Sequence, residues 1–173
     1  MKLFNIKKEE RKPVLILFVQ FFSVVATSIT GSTARDAFFL NLFDRSYLPL
    51  MFVAIAITMV IVINIYKRIT DGKNIIQVIT VSGAMFAGLL LIIQLSLTRL
   101  FSIYADGGGA EAIAALPEKW VIPILFILME VIVSLSILQF WMLAGEIFDA
   151  RQAKRLFSIL GAGGSVAGML AGY

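Results

Sequence analysis

Residues 121–145 read VIPILFILMEVIVSLSILQFWMLAG, an apolar run with a single charge, Glu130, ten residues in. As a helix this stretch is about 37 Å long at ~1.5 Å per residue, enough to cross a hydrocarbon core of about 30 Å. It must be helical there, because no water is available to bond the backbone. Moving outward, residues 13–33, 47–66 and 75–97 are runs of the same kind. A further run begins at Leu156 and is still apolar at Tyr173. The pattern predicts an all-α polytopic membrane protein of about five transmembrane helices, over 13–33, 47–66, 75–97, 121–145 and 156–173. Together they form a single transmembrane domain spanning 1–173.

Composition agrees. Of 173 residues, 60% are hydrophobic and 15% charged, with a mean hydropathy of +0.93. Soluble domains are usually ~45–50% apolar and ~25% charged. A disordered chain, a nucleic-acid-binding module and most soluble enzymes are thereby excluded. Cysteine and histidine are both absent. The usual general base and the commonest metal ligands are therefore missing, and neither a metal nor a cofactor is expected.

The net charge of +4 has a topological reading. Eleven of the fifteen Lys and Arg fall on one side: Lys2, Lys7, Lys8, Arg11, Lys12, Lys67, Arg68, Lys73, Arg151, Lys154 and Arg155. Four, Arg35, Arg45, Arg99 and Lys119, fall on the other. The positive-inside rule puts the N-terminus in the cytoplasm. The first run is too long for a signal peptide and no A-x-A site follows, so it reads as a retained helix. On the outside, 32–46 reads as a short loop containing Arg35 and Asp36. Residues 98–119 read as a longer loop with a flexible glycine-rich stretch at 105–110, and no Lys-Ser/Thr follows to make it a P-loop.

Glu130 is the sharpest signal. A carboxylate at that depth costs ~2.5–3.5 kcal/mol on insertion scales, so it should meet an aqueous cavity, a cation or a substrate. The alternative is a protonated side chain bonded to a neighbouring helix. Pro123, Ser134 and Trp141 share its helix face at 100° per residue, one plausible cavity lining. In the first run Gln20, Ser23, Thr27 and Thr30 form a polar stripe, which can line a path or make an interhelical hydrogen-bonding seam. Gly164, Gly168 and Gly172 recur every four residues and predict close helix packing. Lys67, Arg68 and Asp71 in one tight turn, and Arg151, Lys154 and Arg155 in the next, serve topology or a cytoplasmic charge network that changes as helices rock.

Residues 129–131 (Met-Glu-Val), Phe140-Trp141-Met142-Leu143-Ala144-Gly145-Glu146, Ala153-Lys154-Arg155-Leu156-Phe157 and Gly161-Ala162-Gly163-Gly164 resemble the ATP:ADP antiporter (nucleotide transporter) family, a relative of the major facilitator superfamily. Arg35-Asp36 matches the family's Arg-Asp just after helix one. The resemblance implies a twelve-helix carrier with a central site between two six-helix halves, nucleotide exchange by alternating access, and a substrate-path role for Glu130. Phe38 departs from it, standing where the nucleotide exchangers carry a lysine.

The sequence thus predicts the N-terminal part of a secondary transporter in the bacterial inner membrane, with a C-terminal half of the same carrier as its partner. A small solute, ATP or ADP among the candidates, would pass Glu130, Ser134, Trp141, Gln20, Ser23 and Thr27. Nucleic acid is not an expected partner. An enzyme is not expected either: Glu130 and Glu146 lie ~24 Å apart along one helix, too far to share chemistry. A reading of another class, a membrane scaffold or assembly subunit without transport of its own, takes the length at face value.

Overall fold

The computed structural model describes residues 8–105 and 117–172. Five long helices follow one another: α1 (Arg11–Leu42), α2 (Leu48–Thr70), α3 (Ile75–Ala105), α4 (Val121–Ile147) and α5 (Ala150–Ala171). Short 3-10 turns at Lys8–Glu10, Arg45–Tyr47 and Pro117–Trp120 lead into α1, α2 and α4. The described residues contain no strand. Four helices, α1 to α4, are long and apolar enough to cross a membrane.

The local chemistry explains the ends. The Asp44 carboxylate accepts the Ser46 backbone N–H at 2.8 Å and caps the turn into α2, where Pro49 occupies the first turn. Hydrogen bonding from Ser46 holds the Asp44 carboxyl below its ordinary range, and the adjacent Arg45 adds to the effect. At the α2–α3 turn Gly72 takes a φ of +73°, which a side chain would resist. Asn74 then accepts the Ile76 N–H at 2.9 Å at the start of α3. Asp149 and Gln152 form a capping box that starts α5 two residues after α4 ends.

These ends differ from the hydropathy reading in three places. Residues 32–42 are helical, so Arg35 and Asp36 lie inside α1, not in a loop. The charged pair interrupts the apolar run, but Ala37, Phe38, Phe39 and Leu40 resume it and no breaker intervenes. Residues 98–105 continue α3, and the rest of the expected glycine-rich loop lies outside the described residues. Arg151, Lys154 and Arg155 belong to the first turns of α5, not to a preceding loop. That basic start separates α5 from the four strongly apolar helices.

The chain divides into two compact units, residues 1–30 with 133–173, and residues 31–132. In the first, Val14 and Leu17 of α1, Phe140 and Ala144 of α4, and Leu156 and Leu160 of α5 form the core, with Phe148 at the α4–α5 joint. Glycines set the α1–α5 approach. A Cβ on Gly164 would come within 2.7 Å of Phe21 Cε1, and one on Gly163 within 3.2 Å of the Phe18 carbonyl oxygen. Gly168 is looser, with Ile29 Cδ1 at 3.9 Å, and Gly172 caps the helix end without meeting α1. In the second unit Phe39, Met51, Ile122 and Phe126 form the core. Phe39 packs on Phe126 at 5.0 Å, with α1 and α4 running antiparallel. Outside these cores the helices expose Leu50, Phe52, Ile57, Val60, Val81 and Leu91, the surface that acyl chains cover.

Gly164→Ala is expected to destabilise the protein by about 1–3 kcal/mol through overpacking. The Phe21 ring cannot retreat freely, because it stacks on Phe140 at 4.4 Å. Gly161→Ala has nothing within 4 Å and should be neutral or gain up to ~1 kcal/mol of helix propensity. Thermal unfolding of the two variants in detergent separates them; equal melting temperatures would contradict this packing.

Candidate functional site

The strongest constellation of charge sits between α1 and α4, within the unit 31–132. The Arg35 side chain is only 9% exposed. Its Nη1 donates to Glu130 Oε2 at 2.9 Å and makes a longer 3.5 Å contact to the Phe126 carbonyl oxygen. Its Nε donates to Asp36 Oδ1 at 2.9 Å. The guanidinium carbon lies 4.1 Å from the centre of the Phe126 ring, a cation–π contact. The two carboxylates are more open, Asp36 at 50% and Glu130 at 41% exposure. One buried cation is thus shared by two half-exposed carboxylates.

Helix packing makes this possible. Gly31 lies one turn before Arg35, and a Cβ there would run into Met129 Cε. In its absence the Met129 methyl packs against α1 beside Glu130. One turn beyond Arg35, Phe39 seals the contact against Phe126. Left unpaired, the buried Arg35 charge would pay a desolvation penalty on the order of several kcal/mol, which pairing offsets.

The other expected path residues have different surroundings. Trp141 is ringed by Phe140, Phe157 and Phe21 at 5.1, 5.2 and 5.5 Å and packs against the hydrophobic core of its unit. Ser134 is half-buried in that unit. Along α1, Gln20 is half-buried and Ser23 and Thr27 are exposed. The Ser23 and Thr30 hydroxyls donate to carbonyls four residues back, Val19 at 2.9 Å and Ala26 at 3.0 Å. Those two donors are spent on their own helix.

Of the six residues expected in a charge network, Lys67, Arg68 and Asp71 stand exposed around the α2–α3 turn, and Arg151 and Lys154 stand exposed on α5. Arg155 is tied. Its Nη2 donates to both oxygens of Glu10, at 2.7 and 2.6 Å, and Gln152 Nε2 adds a third bond to Glu10 at 3.2 Å. The Glu10 side chain is 7% exposed. Sequence reasoning missed Glu10, which stands among basic residues and reads as part of a basic tail. It also missed that Arg35 is the partner of Glu130. The signal was present, because lone charges in apolar spans pair with one another.

A model of the TLC ATP/ADP transporter family matches residues 2–173, and the chain belongs to that family. No curated protein and no solved structure matches it. The chain is therefore an integral membrane protein of a transporter family, not an enzyme.

Two stability measurements check the two ion pairs. Arg35→Ala and Glu130→Ala should each destabilise, and the double variant should fall short of their sum by about 1–3 kcal/mol. Strict additivity in denaturant unfolding would deny the pair. Glu10→Ala should cost about 2 kcal/mol, as expected for a charged, largely buried hydrogen-bonding group. Glu10→Gln, which keeps one acceptor, should cost less. An unchanged melting temperature for both Glu10 variants would show that the clasp contributes nothing.

Proposed function

We propose that the chain forms the N-terminal helices of a major-facilitator-type secondary transporter that moves a small solute by alternating access. Nucleotides, ATP and ADP, are the first candidates because of the family. The observation that carries this reading is the Arg35–Glu130 pair, ionisable groups held between two long apolar helices. Such groups are expensive in a membrane and are kept where they contact a pathway. Half-exposure of Glu130 suits a group that meets a solute, and its place in α4 matches the helix-four glutamate of the family.

In this reading Glu130 is the solute-sensing carboxylate of the path. Gln20, Ser23, Thr27, Ser134 and Trp141 are the further candidate path residues. α5 is the fifth membrane helix, and a second helical half of the carrier completes the site. The positive-inside rule sets the N-terminus in the cytoplasm, in the bacterial inner membrane. Lys67, Arg68, Asp71, Arg151, Lys154 and Arg155 then lie on the cytoplasmic side, where their ion pairs can change as the halves rock.

The test is uptake of labelled ADP by vesicles holding the full-length protein. Glu130→Gln should lower uptake by at least about tenfold, corresponding to ~1.4 kcal/mol lost from the transport cycle. Unchanged uptake by a correctly folded variant would remove Glu130 from the path.

A further inference from the structure

Over residues 13–42, 48–66, 75–97 and 121–147 there is one cation, Arg35. Its bonds to protein use Nε and Nη1. Among the described residues the Nη2 amino group has no acceptor, yet it is not among the occluded orphan atoms, which are Tyr66 Oη, Thr70 Oγ1 and Arg155 Nε. A side chain more than nine-tenths buried therefore keeps two N–H donors uncommitted and not fully occluded, beside two half-exposed carboxylates. Buried donors ordinarily find partners. An arginine fork left with a free edge matches the planar oxygens of a phosphate or a carboxylate.

We propose that Arg35 is an anion anchor, whose Nη2 receives an oxygen of a phosphate or carboxylate group on the transported solute while Glu130 gives way. This rests on the reading of Glu130 as a path residue. The charge count requires the second half of the proposal. Arg35, Asp36 and Glu130 carry a formal charge of −1 together, so an arriving anion is repelled at contact range until one carboxylate withdraws. Asp36 is the next residue on the same helix and moves with Arg35. Glu130 comes from another helix and holds Arg35 through one oxygen at 2.9 Å. Glu130 is the one that can leave, and its departure removes the ion pair between α1 and α4 while the Arg35–Phe126 contacts remain. Binding of the anion and release of that ion pair are then one event. Lys67 and Arg68 lie at the far end of α2, ~24 Å along the helix from Met51, which packs near Phe126.

The experiment measures equilibrium binding of labelled ADP, and separately of succinate, to purified full-length protein in detergent. The two arms distinguish a phosphate from a carboxylate ligand. Wild type should bind at least one of them. Arg35→Gln should lose that binding. Arg35→Lys, which keeps the charge and the pairing with Glu130 but lacks the fork, should bind about tenfold more weakly. Glu130→Gln should bind about tenfold more tightly, since the competing charge is gone. Circular dichroism checks the fold, and Arg35→Lys decides the matter if Arg35→Gln does not fold. Unaltered affinity in the folded Arg35 variants, or no binding of either anion by wild type, overturns the anchor. If Glu130→Gln transports normally while the Arg35 variants lose binding, Glu130 drops out of the path and Arg35 stands as the anchor.

Discussion

A guanidinium in the apolar part of a membrane helix has to be answered by a carboxylate, and much of the unit 31–132 is arranged around that requirement. A buried charge of this kind has to be met where it sits. Its partners have to be brought to it. Asp36 comes with the chain, but a neighbour in sequence occupies only one edge of the fork. The second carboxylate must arrive from another helix, and Glu130 supplies it. Where α4 comes close, α1 presents Gly31, and the Met129 methyl fills the space a Cβ would take. Beyond the charges Phe39 and Phe126 make an apolar seal. The Phe126 ring serves twice, once as core and once as the face under the guanidinium.

The unit 1–30 with 133–173 solves a different problem. Its helices α1 and α5 are packed by glycine against aromatic rings rather than by charge. Membrane helices gain little from hydrophobic association, so close contact and dispersion must hold them. Gly163 and Gly164 bring α5 onto Phe18 and Phe21, and Phe21 is itself stacked on Phe140 of α4. The three helices meet through one layer of rings. At the start of α1 the Glu10 clasp adds direction to this packing, because Arg155 and Gln152 project from successive turns of α5.

The membrane helices were legible because a bilayer allows so few solutions. An apolar run of this length has to be a helix, and Glu130 stands out as the one charge in its run. What was not legible follows from using charge to mark helix ends. Arg35-Asp36 closes a hydropathy window but not a helix, so the cation that answers Glu130 was placed in a loop. The hydroxyl stripe is ambiguous for a related reason: Ser23 and Thr30 satisfy their donors on their own helix, and residue type does not say whether they do. The glycine spacing announced close packing on α5. Only the geometry shows that Gly163 joins Gly164 in that contact, while Gly161 faces open space and Gly172 caps the end.

The two ion pairs differ in a way that bears on what each can do. Glu10 is nearly saturated: both oxygens take bonds from one Arg155 nitrogen, Gln152 adds another, and the carboxylate is 7% exposed. Separating it would strand a buried charge with no replacement at hand. Glu130 offers Arg35 a single oxygen and remains 41% exposed. Water or a solute can take over what the arginine gives up. A tie of the first kind holds two helices in fixed relation. A tie of the second kind has a low cost of exchange, because both partners keep a route to new ones. Of the two, the exchangeable tie is the pair that lies between long apolar helices.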